Sequence, residues 1–206
     1  IINCPKIKNG NDIACMLQHA EKIQQYPEVF DKIMNHPKVE AHSAHNLMAV
    51  AEKIQQYPEV FDKIMNCPIV IDDIANARGI MESADKIQQY PDVLDKILNC
   101  PKVKNTQNIS ELLHAADNIH KYPDIFEKVV NCPKTGNAFS ISEIMEVANK
   151  IQQYPEAFDK IVNCPKISNN NNLIYDTINE AADKIQQYPK VFDMIVNCQK
   201  GKMDNY

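Results

Sequence analysis

The hexapeptide Lys-Ile-Gln-Gln-Tyr-Pro starts at Lys22, Lys53, Lys86, Lys150 and Lys184, and a diverged copy runs from Asn118 to Pro123. The alanines two residues before the six copies, Ala20, Ala51, Ala84, Ala116, Ala148 and Ala182, are 31, 33, 32, 32 and 34 residues apart. Recurrence at such a period marks a chain in which each unit leans on its neighbours and none buries a core alone. The expected fold is all-α: a right-handed superhelical α-solenoid of two-helix repeats with a period of about 32 residues.

Each unit reads as two helices. Asp12, Ser43, Asn76, Asn108 and Ser140 stand eight residues before the marker alanine and have the side chains that cap helix N-termini; Ile174 breaks the series. From there Leu47, Met48, Ala51 and Ile54 share one face at 100° per residue, as do Leu112, Leu113, Ala116 and Ile119. This predicts a first helix of about 14 residues. It ends at Tyr26, Tyr57, Tyr90, Tyr122, Tyr154 and Tyr188, because the residue before proline is pushed out of the α region. Pro27, Pro58, Pro91, Pro123, Pro155 and Pro189 then open a second, shorter helix, where the missing N–H costs nothing. Glu28, Glu59, Asp92, Asp124 and Glu156 face its positive end, and Lys32, Lys63, Lys96, Lys128 and Lys160 its negative end. Phe30, Ile33 and Met34, with Phe61, Ile64 and Met65, form its buried edge.

The whole chain, 1-206, reads as one array: the end of a truncated repeat at 1-7, six repeats at about 12-38, 43-69, 76-102, 108-134, 140-166 and 174-200, and a polar tail at 201-206 that suits a terminal cap. Because residue 1 falls inside a unit, the sequence reads as a piece of a longer protein. Asn35, Asn66, Asn99, Asn131, Asn163 and Asn197 close the second helices, where asparagine tolerates a left-handed conformation. Cys4, Cys67, Cys100, Cys132, Cys164 and Cys198 follow at one equivalent position, taken by His36 in the remaining unit. Equivalent atoms of stacked helix pairs lie roughly 9–11 Å apart, beyond disulfide reach, so the expectation is reduced thiols in a cytoplasmic or host-cell cytosol setting.

No cofactor and no metal is expected. Four glycines against twelve prolines leave little for a phosphate-cradling loop. There is no paired Cys-x-x-Cys, and His36, His42 and His45 straddle a loop and a helix start without an acid or thiol at ligand spacing. Nor is there a nucleophile, base and orienter at motif spacing, so the chain is expected not to be an enzyme. A net charge of −5 disfavours nucleic acid as partner.

The informative positions are those that drift. Six and two residues before the marker, opposite the buried stripe, stand Ala14 and Gln18, His45 and Ala49, Arg78 and Glu82, Ser110 and His114, Ser142 and Glu146, Asp176 and Glu180. A near-copied frame with varied exposed residues is what a recognition surface requires. The expected partner is a protein or peptide, met by His45, Arg78, Glu82, His114, Glu146 and Glu180. The alternative is an anion-binding edge for nucleic acid or anionic lipid, built from Lys38, Lys102, Lys134 and Lys166 in the series that Lys6 begins and Lys200 ends, with Ile69 interrupting it.

In period and two-helix unit the chain resembles tetratricopeptide, pentatricopeptide and HEAT-type α-solenoids, in architecture only, since the tryptophan of the tetratricopeptide pattern is missing. A proline in each unit also resembles transcription-activator-like DNA-reading repeats, from which the variable loops and scarce glycine depart. Near-identical copies rich in Ile, Asn and Lys resemble the repeat-bearing effectors of intracellular bacteria such as Legionella. That resemblance implies an effector module acting in a host cell and carries over no functional residue.

Overall fold

The computed structural model describes residues 6–71, 73–167 and 171–198, and among these every regular element is helical. Copy one forms α1 (Gly10–Leu17), α2 (Ala20–Gln25) and α3 (Pro27–Asn35); copy two forms α4 (Ala41–Met48), α5 (Ala51–Gln56) and α6 (Pro58–Met65). Copy three begins with the short α7 (Pro68–Ile71) and a 3-10 turn (Ile74–Asn76), then α8 (Ala77–Met81), α9 (Ala84–Gln89) and α10 (Pro91–Leu98). Copy four has α11 (Thr106–His114), α12 (Ala116–Lys121) and α13 (Pro123–Asn131); copy five has α14 (Ala138–Glu146), α15 (Ala148–Gln153) and α16 (Pro155–Asn163). Copy six has α17 (Asn171–Gln187) and α18 (Pro189–Asn197). The helices form two compact units, Ile1–Asp117 and Asn118–Tyr206.

The Tyr-Pro junction behaves as its chemistry requires. Each proline stands in the first turn of its helix, and each tyrosine capping these helices has φ near −128° and ψ between 57° and 69°.

The single first helix of about 14 residues is corrected: in copies one to five it divides just before the marker alanine. No proline or glycine stands at the break. His19, Val50, Ser83, Ala115 and Val147 take φ of −90° to −113° with ψ of 12° to 26°. Each N–H bonds to the carbonyl three residues back at 3.0 or 3.1 Å, one residue of tightened 3-10 turn. Such a turn leaves a carbonyl outside the helical ladder, and the hexapeptide lysine of the preceding copy reaches it. Lys22 Nζ donates to the Ala49 carbonyl, and Lys86 Nζ to that of His114 at 3.2 Å. In copy six α17 is unbroken, and Lys150 Nζ donates to the carbonyl of Asn179 and to its Oδ1 at 2.8 Å. Lys53 is paired instead with Asp85 at 3.3 Å.

Helix starts also differ from the expectation. Asn9, Asn105 and Asn137 are the caps, accepting the N–H of Asp12, Asn108 and Ser140 at 3.0, 2.9 and 3.0 Å. The residues read as caps are therefore third in their helices, as is Ser43. Asp12 and Asn108 in turn accept the N–H of Lys8 and Lys104, one residue ahead of each cap, at 2.8 and 3.0 Å, which ties the entering chain to the first turn. Asn76 ends the 3-10 turn ahead of α8.

The closing asparagines do not use a left-handed backbone. No described residue has positive φ; instead Asn66, Asn99 and Asn163 donate Nδ2 to the carbonyls of Asp62, Asp95 and Asp159 at 2.8 Å, tying off the last turn from the side chain.

Within each unit, helices pack on those of the next copy. α3 meets α4 and α5, α6 meets α8 and α9, and α10 meets α11; in the second unit α13 meets α14 and α15, and α16 meets α17. The expected stripes form the core: Leu47, Met48, Ala51, Ile54, Phe61, Ile64 and Met65 are buried, as are Leu112, Leu113, Ala116 and Ile119. Cys67, Cys100, Cys132 and Cys164 are buried, form no disulfide and fill space as small hydrophobes. The proline-helix lysines stand in the last turn of their helices, as the dipole reading expects, and four of them also reach the next copy, while Lys96 pairs with Asp92 of its own helix at 3.1 Å. Lys32–Asp62, Lys63–Asp95, Lys128–Asp159 and Lys160–Asp193 are paired at 2.8, 2.7, 2.7 and 2.6 Å. Lys32, Lys128 and Lys160 also lie over the rings of Phe61, Phe158 and Phe192. These pairs are solvent-facing and individually weak, so they set register more than stability.

Candidate functional site

In the first unit the opening segments of copies two, three and four border a concave groove of about 500 Å³. One wall is Asn46 of α4, whose Nδ2 donates to the Ala75 carbonyl at 2.9 Å. Ala75 and Asn76 of the 3-10 turn, Arg78 and Gly79 of α8, and Glu82 follow; Gln107 and Ser110 of α11 form the far wall. The floor lies at Gly79, because a Cβ there would stand 3.0 Å from Ser110 Oγ. The missing side chain lets α8 and α11 approach and leaves the space above them open. Arg78 Nε and Glu82 Oε1, one helical turn apart in the lining, pair at 2.9 Å, with both side chains about half exposed. The groove therefore offers a guanidinium, a carboxylate and several amide and hydroxyl groups, a set that hydrogen-bonds a peptide main chain or polar side chains.

The groove positions are nine, eight, six, five and two residues before the marker, and all but Asn76 at the eighth fall on an i, i+3, i+4, i+7 face. The sequence expectation used only the sixth and second. It therefore includes Arg78, Glu82 and Ser110 and misses Asn46, Ala75, Asn76, Gly79 and Gln107, of which all but Asn76 would be reached by the same count extended by one turn. In the second unit this face has a different character. Phe139 and Leu173 are exposed large hydrophobics, and Glu146, Asp176 and Glu180 are exposed acids beside the half-buried Glu143. Partial burial, reinforced by Glu146 and Asp176, pushes the Glu143 carboxyl above its usual range.

Two residues expected on the exposed face are corrected. Ser142 is buried in α14. His45 is half-buried, its Nδ1 3.1 Å from the Cys15 carbonyl and its ring 4.5 Å from that of His19, so it belongs to the contact between α1 and α4. His114 is exposed, while its carbonyl holds Lys86.

The lysine edge is engaged within the fold. Lys6 Nζ donates to the carbonyl of His36; Lys134 Nζ reaches the carbonyl of Cys164 and, at 2.8 Å, that of Ile167; Lys166 Nζ reaches that of Cys198 at 3.0 Å. Of the others, Lys38 is exposed and Lys102 half-buried. Lys200 and residues 201-206 lie outside the described residues, as do residues 1–5, including Cys4.

Among the described residues no three His, Cys, Asp or Glu side chains are grouped to hold a metal ion, and no helix is long and apolar enough to cross a membrane.

Two histidines give a pH dependence with a definite sign. Partial burial, then His45, Lys22 and Arg78, hold the His19 imidazole below its usual range; partial burial, then Lys6 and Lys38, do so for His36, against the opposing Asp62 carboxylate. His19 Nε2 and His36 Nδ1 are buried without a hydrogen-bond partner. Each folded-state pKa lies below the unfolded value of about 6.5. Their contribution to stability is therefore full above that pH and is lost as pH falls through it toward the folded-state value. His36→Cys, the residue of the equivalent positions, is expected to reduce the loss of melting temperature between about pH 7 and 5. At neutral pH it is expected to gain about 1 kcal/mol from removal of the unpaired ring nitrogen. Thermal melts of the two chains across that range check both.

Comparison with protein-family models, curated proteins and solved structures returns no match to this chain.

Proposed function

We propose that the chain is a non-enzymatic recognition scaffold: a right-handed α-solenoid of repeats of about 32 residues that receives a protein or peptide segment along its first helices. The groove between Asn46, Arg78, Glu82, Gln107 and Ser110 carries this reading, because its lining varies where the surrounding frame is copied. On the second unit, Phe139 and Leu173 among Glu143, Glu146, Asp176 and Glu180 favour a segment that pairs Lys or Arg with an apolar anchor. Buried thiols at four equivalent positions fit a reducing, cytosol-like setting, and the host-cell effector role implied by the sequence resemblance belongs to the same reading. The nucleic-acid or anionic-lipid alternative has less support, because Lys134 and Lys166 already hold carbonyls of the fold.

The test combines Arg78→Glu with Glu146→Lys. Both side chains are exposed, so the melting curve is expected to move by less than about 0.5 kcal/mol in stability, while capture of protein partners from a cell lysate falls at least about tenfold. Capture that survives this pair but is lost in Lys38→Glu with an unchanged melt assigns binding to the lysine edge and overturns the proposal.

A further inference from the structure

The boundary between copies one and two differs chemically from every later one. The residue just before the marker alanine is His19 in copy one and Val50, Ser83, Ala115, Val147 and Ala181 in the others. The residue after the closing asparagine is His36 in copy one and cysteine in the other five. Both imidazoles meet copy two. His19 stands at the break between α1 and α2 with its ring 4.5 Å from that of His45 in α4, and His45 Nδ1 donates back across the boundary to the Cys15 carbonyl at 3.1 Å. His36 closes α3 within the field of the Asp62 carboxylate of α6. The corresponding residues between copies two and three, Val50 and Cys67, are buried and offer no imidazole.

Neither place is built to hold a positive charge. His19 Nε2 and His36 Nδ1 are buried and lack a hydrogen-bond partner, so a proton added there meets no acceptor. The charged groups around His19 share its sign once it is protonated: Lys22 of α2, held on the Ala49 carbonyl, and Arg78 of α8, whose guanidinium is paired with Glu82. His45 is a second imidazole, and a proton on either ring disfavours one on the other. Around His36 stand Lys6 and Lys38, opposed by the Asp62 carboxylate, which Lys32 already engages at 2.8 Å. With the boundary open, both rings regain water and titrate as free imidazoles at about 6.5. The open form therefore takes up protons more readily than the closed one, and acidification favours opening.

We propose that the boundary between copies one and two is a proton-operated hinge: closed at neutral pH, it opens as His19 and His36 gain protons, loosening α1–α3 from α4–α6 while the boundary of copies two and three stays closed. The groove described above is lined by copies two to four, so the hinge stands apart from the recognition reading.

Amide hydrogen exchange of the 206-residue chain at about pH 7.5 and about pH 5.5, corrected for intrinsic exchange rates, tests this. Opening of the α2 and α3 amides is expected to rise at least about fivefold on acidification, toward a ceiling of about tenfold for each histidine about one pH unit below its free value. Opening of the α9 and α10 amides of copy three is expected to change less than about twofold on the same scale. His19→Val combined with His36→Cys, the residues of copy two, is expected to bring the α2 and α3 response below about twofold, and each single change to remove part of it. His42→Gln, at an exposed imidazole of copy two, is expected to leave the response intact. The proposal is overturned if α2 and α3 of the unmodified chain open no more than α9 and α10, if the double variant keeps the response, or if His42→Gln removes it. Should the double variant lose its helical circular dichroism, the single changes decide, and an undiminished response in both overturns the proposal.

Discussion

Replacing Phe61 by alanine is expected to lower stability by about 3–5 kcal/mol, read as a shift of the urea unfolding midpoint. The ring is 1% exposed, and Lys32 of the preceding copy lies 5.3 Å from its centroid. Truncation thus leaves a cavity in copy two and removes the surface on which Lys32 rests. The equivalent Phe192→Ala is the control, because that ring is half-buried in the last copy. Its cost is expected to be smaller by at least about 1 kcal/mol, since less apolar surface leaves water there on folding. Equal losses at the two positions would contradict a structure in which the internal faces are closed and the α18 face is open.

The second large effect comes from adding volume. Ala84, the marker of copy three, is fully buried, and Ala84→Leu is expected to cost about 1–3 kcal/mol because a close-packed contact has no room for three more carbons. Ala20, the marker of copy one, is exposed, and Ala20→Leu is expected to change stability by less than about 0.5 kcal/mol. Thermal melts of the two variants measure the difference directly. In the internal copies the alanine stands where neighbouring helices press on it.

Much of the frame is legible in the residues themselves. The Tyr-Pro step dictates a boundary through the steric restriction before proline, and the apolar stripe locates the buried face by periodicity alone. The break before the marker alanine is not legible, because His19, Val50, Ser83, Ala115 and Val147 share no breaker chemistry. A carbonyl freed there is met by a lysine roughly 28 residues earlier in the chain, as in Lys22 to Ala49 and Lys86 to His114, a tertiary contact that local propensity does not contain. The caps at Asn9, Asn105 and Asn137 were displaced by three residues for a related reason. In each pair the first and third-following residues can both cap, and only the backbone geometry decides which one accepts. For the candidate site, Arg78 and Glu82 are legible as drifting positions, while the groove they border depends on Gly79 opposite Ser110, a close approach between copies.

The central claim is that a partner lies along the first-helix face. A photoreactive side chain placed at Gln107, Glu180, Lys38 or Lys166, one per chain, and irradiated with captured partner tests it most directly. The account predicts partner adducts from Gln107 or Glu180 and none from Lys38 or Lys166. Adducts confined to Lys38 and Lys166 would place the partner on the lysine edge and contradict it.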